Sequence, residues 1–150
     1  MIGSRIMQLW QRFRALQEGD RWLVVEAVIL IGIVQAGLRT LSFVALCRLL
    51  DAVKRRRSGL PRPAQRIAWA VNVAARLVPG RTCLHVALVA DVMLCRRGCQ
   101  STLRLGVKKR RGPAAPLEAH AWVESDGAIV AGELETLDEY KLFPIRGGAG

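Results

Sequence analysis

Apolar spacing divides this chain into a helical first part and a strand-forming last part. Ile6, Leu9, Trp10, Phe13 and Leu16 recur at helical intervals between Arg5, Arg12 and Arg14, the pattern of an amphipathic helix. A break is expected at Gln17-Glu18-Gly19, with Asp20 as N-cap of the next helix. From Trp22 to Leu50 the chain is apolar almost throughout, so helix is expected to about Val53. Lys54 to Pro63 reads as a basic linker containing Pro and Gly. A further helix is expected from Ala64 to Leu77, with Ile67, Val71, Ala74 and Ala75 at helical spacing before Pro79-Gly80 stops it. Thr82 then caps a helix from Cys83 to about Arg96, in which Leu84, Ala87, Leu88, Val92 and Cys95 share a face. Gly98 ends it, and Arg96 and Arg97 suit the negative helix end.

Beyond Gly98 the period changes from helical to alternating. Leu103, Leu105 and Val107 lie on one side of a strand from Ser101 to Val107. Lys108 to Pro116 is a basic loop. Two strands, Ala119 to Ser125 and Ala128 to Ala131, meet at Asp126-Gly127, a type I′ hairpin signal. A last short strand is expected near Tyr140 to Pro144, and Gly147 to Gly150 reads as a frayed tail. Helices first and strands last make an α+β fold with a small antiparallel sheet. The division expected is a helical region with its basic linker over residues 1–60 and a core over 61–150.

Charge changes the picture of partners. Lys and Arg number 23 against 12 Asp and Glu, a net charge of +11, which suits an acidic peptide, a nucleic acid or a membrane surface. The basic runs lack interleaved aromatic residues, which argues against a nucleic-acid module. The most apolar run, Ala27 to Gly37, is shorter than the about 20 residues a membrane span needs. Buried helices are therefore expected, with a membrane-associated hairpin as the alternative. The N-terminal stretch lacks the apolar core of a signal peptide, which points to a cytoplasmic, reducing setting in which Cys47, Cys83, Cys95 and Cys99 stay free.

Two residues stand out chemically. Cys83 sits just inside a helix start, where unpaired amides and the helix dipole favour a thiolate and suit an oxyanion. The structural alternative is a small buried hydrophobe. His120 shares one face of its strand with Trp122 and Glu124, where an imidazole can take a thiol proton near neutrality. A Cys at a helix start with a His on a later strand is a pattern of cysteine hydrolases. Counting outward from the two-residue turn, Ser125 pairs with Ala128, Glu124 with Ile129, and Glu133 falls opposite His120. Glu133 is thus the expected orienting carboxylate, with Asp138 as the alternative. His85 fits a helix side face. The Cys95-x3-Cys99 spacing is a weak metal signal, and no Walker loop, dinucleotide fingerprint or HExxH is present.

Taken together, Leu77-Val78-Pro79, Thr82-Cys83-Leu84, Ala87-Leu88, Leu94-Cys95-Arg96-Arg97-Gly98, Leu103-Arg104-Leu105-Gly106-Val107 and His120-Ala121-Trp122-Val123-Glu124 with Asp126-Gly127 resemble the lasso-peptide biosynthesis B2 family, the transglutaminase-like maturation proteases. The resemblance covers Ala64 to Pro144. It implies a papain-like core and a leader peptidase with a Cys-His-acid triad, Cys83 as nucleophile and His120 as base. Members often carry an Asp on the strand after the hairpin, where this chain reads Ala131-Gly132-Glu133. The resemblance also implies partners: a precursor peptide, a separate leader-binding B1 protein and an asparagine-synthetase-like, ATP-using cyclase. Leader processing in the family has been associated with ATP, and no nucleotide-binding motif accompanies it here. A transglutaminase-like acyltransferase and a noncatalytic membrane-associated adaptor are the rival readings.

Overall fold

The computed structural model describes residues 7–8, 11–57, 59–114, 116–132 and 134–143. After helical turns at 7–8 and 11–14, the first long helix, α1, runs Glu18–Thr40. α2 spans Phe43–Arg55, α3 Ala64–Leu77 and α4 Cys83–Arg96. The strands follow: β1 Thr102–Lys109, β2 Leu117–Ser125, β3 Ala128–Ala131 and β4 Lys141–Phe143. This is the α+β order that the change of period predicts.

Two details of the first helices differ from expectation. Asp20 is not a cap. It lies inside the first turn of α1, which begins after Gln17, and its buried carboxylate pairs with Arg66 of α3. The pairing holds Asp20 below the usual carboxylate range, chiefly through the hydrogen bond from Arg66. The apolar stretch also breaks at Leu41-Ser42, where the Ser42 hydroxyl accepts the Ala45 N–H at 3.2 Å and starts α2.

The helices pack through a core that runs across the basic linker. Ala27, Ile31 and Val34 of α1 meet Ile67, Val71 and Ala74 of α3 and Ala87, Leu88, Val89 and Val92 of α4. Burying each of the large aliphatic side chains is worth about 1.5–3 kcal/mol. Ion pairs fix the helices to one another. Lys54 of α2 reaches the buried Asp91 of α4 at 2.5 Å, and Asp91 also accepts from the Ser101 hydroxyl. Arg96 at the end of α4 and Arg97, its C-cap, both hold Glu26 of α1. Removing Lys54 leaves the buried Asp91 carboxylate without its counter-charge, at a cost of about 3–5 kcal/mol.

The sheet is antiparallel in the order β3-β2-β1-β4. Its helix-facing side carries Leu103 and Leu105 of β1 and Ala121 and Val123 of β2 into the common core. Asp126 and Gly127 both take positive φ, as a type I′ turn requires, and pair Ser125 with Ala128 and Glu124 with Ile129 as the residue count predicts. One step farther the count fails. A bulge between Val123 and Glu124 makes Val123 face Ala131 instead of Val130.

Candidate active site

Cys83 is the first residue of α4, half-buried, with a free thiol, and packs against the helical core. What shapes its surroundings is His85. The Thr82 N–H donates to His85 Nδ1 at 3.0 Å, and the Thr82 hydroxyl lies 2.8 Å from the same nitrogen. Thr82 in turn receives the backbone N–H at position 85, so the two residues form a reciprocal cap with an imidazole where Glu or Gln usually stands. The ring is only 8 % exposed. Burial holds His85 below the ordinary histidine range, with Arg39 adding to the effect. A ring that accepts at Nδ1 is neutral with its proton on Nε2. Sequence pattern placed His85 on a helix side face with nothing near it; its distance of three residues from Thr82 was the available signal. The N–H groups of Cys83 and Leu84 have no acceptor within the helix, as in any first turn, and remain for an anion.

His120 lies on β2, half-buried, on the sheet face that carries Trp122. Its Nε2 lies 2.6 Å from the carbonyl oxygen of Gly132. A carbonyl only accepts, so Nε2 donates and the lone pair is left on Nδ1. The ring stacks on Trp122 at 6.2 Å between centroids and meets Tyr140 at 5.8 Å. Trp122 is buried, contrary to the expectation of an open polar face. Gly106, opposite His120 on β1, makes the room: a Cβ there would lie 2.9 Å from both the indole and Tyr140. Trp122 Nε1 donates to Glu124 at 3.1 Å, Tyr140 Oη donates to Glu118 at 3.0 Å, and Lys108 sits 4.7 Å from the Tyr140 ring centroid. Tyr140 and Gly132 are the residues here that spacing did not single out.

The predicted third members fare differently. Glu133 lies outside the described residues. The register that placed it opposite His120 is displaced by one residue at the bulge, and pairing ends at Ala131. Asp138 is exposed in the short turn Leu137–Glu139 and makes no hydrogen bond with His120. Nor does any hydrogen bond join Cys83 to His120 among the described residues. The alternation of β2 turns His120 toward Trp122 and Tyr140, while Ala121 and Val123 enter the core with the helix of Cys83. Cys95 and Cys99 are separately engaged, Cys95 beside Asp91 at 3.8 Å and Cys99 donating to the Arg62 carbonyl at 3.6 Å.

A helix-borne cysteine, a following antiparallel sheet and a histidine on its second strand are the elements on which a family match bears. The family model of the transglutaminase-like superfamily (Transglut_core3) matches residues 28–143. The chain belongs to that superfamily. Comparison with curated proteins and with solved structures gave no match. The matched region of this transglutaminase-like chain begins inside α1 and includes the linker, α2 and both candidate residues. The superfamily generally includes cysteine-based catalysis, which makes Cys83 and His120 the residues of interest.

Proposed function

We propose that the chain is a cysteine peptidase that removes the leader from a lasso-peptide precursor, with Cys83 as nucleophile and His120 as base. The observation that carries the reading is the hydrogen bond from His120 Nε2 to Gly132, because it leaves Nδ1 as a proton acceptor. In this chain a backbone carbonyl takes the orienting role that a carboxylate plays in a triad. Nδ1 accepts the thiol proton as Cys83 Sγ attacks the scissile carbonyl. The oxyanion then turns to the N–H groups of the first turn of α4. Collapse breaks the C–N bond, the new amine leaves with the proton from the imidazolium, and water releases the leader from the thioester. The reaction requires the peptide-bound state to bring the start of α4 and the outer face of β2 together, a rearrangement larger than the tightening of a hydrogen bond. Partners in this reading are the precursor, a B1 protein that holds the leader, and the cyclase that uses the freed amine. The setting is cytoplasmic, and any ATP requirement belongs to the assembled system.

A noncatalytic membrane-associated adaptor is the second reading, favoured by α1. That helix has 23 residues, is long and apolar enough to cross a membrane by length and composition, and exposes Trp22, Ile29 and Ile33. Its opposite face is committed to the core through Ala27, Ile31 and Val34, which supports the peptidase reading. The separating experiment incubates purified chain with a B1 protein and candidate precursor and weighs the products. Leader removal by the native chain and none by Cys83→Ala is expected. Maturation that survives Cys83→Ala would favour the adaptor.

A further inference from the structure

An open groove of about 390 Å³ lies between β3 and α3. β3 is an edge strand, paired on one side with β2. In an antiparallel hairpin with a two-residue turn, the pair next to the turn, Ser125 and Ala128, exchanges hydrogen bonds, and the following pair does not. The N–H and C=O of Ile129 therefore point away from β2, at the free edge of a strand that lines the groove. The opposite wall is one face of α3, where Trp69, Asn72 and Arg76 project at helical intervals. Among the described residues no carboxylate lines the groove and Arg76 is its cation; Arg66, 4.3 Å from the Trp69 ring centroid, is neutralised by Asp20. β3 continues directly into Gly132, the residue that holds His120.

We infer that this groove docks an extended acidic peptide as an added strand on β3, with Ile129 supplying backbone hydrogen bonds and Trp69, Asn72 and Arg76 receiving its side chains. An extended chain satisfies the free backbone groups of an edge strand and takes affinity from them. Alternate side chains of the added strand point toward α3, where an aromatic, an amide and a guanidinium meet them. Arg76, in a chain of net charge +11, selects carboxylates over amines. Calling the docked peptide a substrate rests on the peptidase reading; the docking itself does not.

The test uses the full chain carrying Cys83→Ala, so that capture and cleavage are read separately. Fluorescence anisotropy follows a labelled dodecapeptide alternating Val and Glu, with one alternating Val and Lys as its counterpart. The Val/Glu peptide binds and the Val/Lys peptide does not. Ile129→Pro, which removes the outward N–H, weakens binding at least tenfold. Arg76→Glu, on the exposed helix face, does the same and moves the preference toward the Val/Lys peptide. Amide exchange at Ile129 slows when the Val/Glu peptide is bound. Equal binding of the two peptides, absence of binding, or binding untouched by Arg76→Glu in a chain with native circular dichroism would overturn the proposal. A chain that captures the peptide yet leaves precursor uncut when Cys83 is restored would count against the peptidase reading alone.

Discussion

The start of α4 and the outer face of β2 each hold one of the two imidazoles of this chain, and they use it in opposite ways. His85 is buried and spends its Nδ1 lone pair on the Thr82 N–H. His120 is half-buried, donates through Nε2 to the Gly132 carbonyl and keeps its Nδ1 lone pair unspent. The first ring is committed to holding a helix end, and protonation would destroy the bond it makes. The second is oriented without being committed, which is the condition for a general base. Proximity to the thiol in sequence is thus a poor guide: the imidazole two residues from Cys83 is the structural one, and the reactive candidate comes from a strand 37 residues later.

The contrast breaks most sharply at the catalytic step. His120→Ala is expected to lower leader removal by about 10³-fold or more, while His85→Ala leaves the rate per folded molecule within about tenfold, as measured by product mass against time. Equal losses in the two variants would erase the distinction. Gly132→Ala comes next. Gly132 has φ near +80°, and a Cβ there would lie 2.5 Å from the Ala121 carbonyl oxygen and 2.9 Å from Trp122 Cα, both backbone. About 1–3 kcal/mol of stability should be lost in denaturant melts, and the rate should fall as the carbonyl that orients His120 shifts. His85→Ala removes a cap and should cost about 0.5–2 kcal/mol with unchanged denaturant slope.

The smallest effect concerns pH. His85 titrates lower in the folded chain than in the unfolded one, so the unfolded state binds more protons in the interval between the two. The stability that His85 contributes is whole above about pH 6.5 and is lost as pH falls through its lower folded value. Melting midpoints taken downward from pH 7.5 should show that decline, and His85→Ala should flatten it. An undiminished decline in His85→Ala would assign it to other groups.

Much of the fold is legible in the sequence because local signals agree with one another. Ala64–Leu77 and Cys83–Arg96 are bounded by Pro79-Gly80, Thr82 and Gly98, and the period changes cleanly after them. Asp126-Gly127 fixes the hairpin turn and its first two pairs. The site is less legible, because its details depend on contacts that no local pattern encodes. A single bulge displaces the count that placed Glu133 opposite His120. A backbone carbonyl leaves no trace in side-chain spacing, so Gly132 could not be chosen over an acidic neighbour. Asp20 looks like a cap by residue type, yet its partner Arg66 lies 46 positions away. Tyr140 reaches His120 from the far end of the sheet through Gly106, a gap visible only once β1 and β2 are paired.

The central claim is that the Cys83 sulfur takes the leader from its precursor. The most direct measurement mixes native chain, B1 protein and precursor, quenches in acid within one turnover, and weighs the chain intact. A species heavier by the acylated leader, cleaved by hydroxylamine and mapped to Cys83, is predicted in the native chain and absent from Cys83→Ala. Leader release at full rate with no such adduct at any quench time, and undiminished in Cys83→Ala, would contradict it.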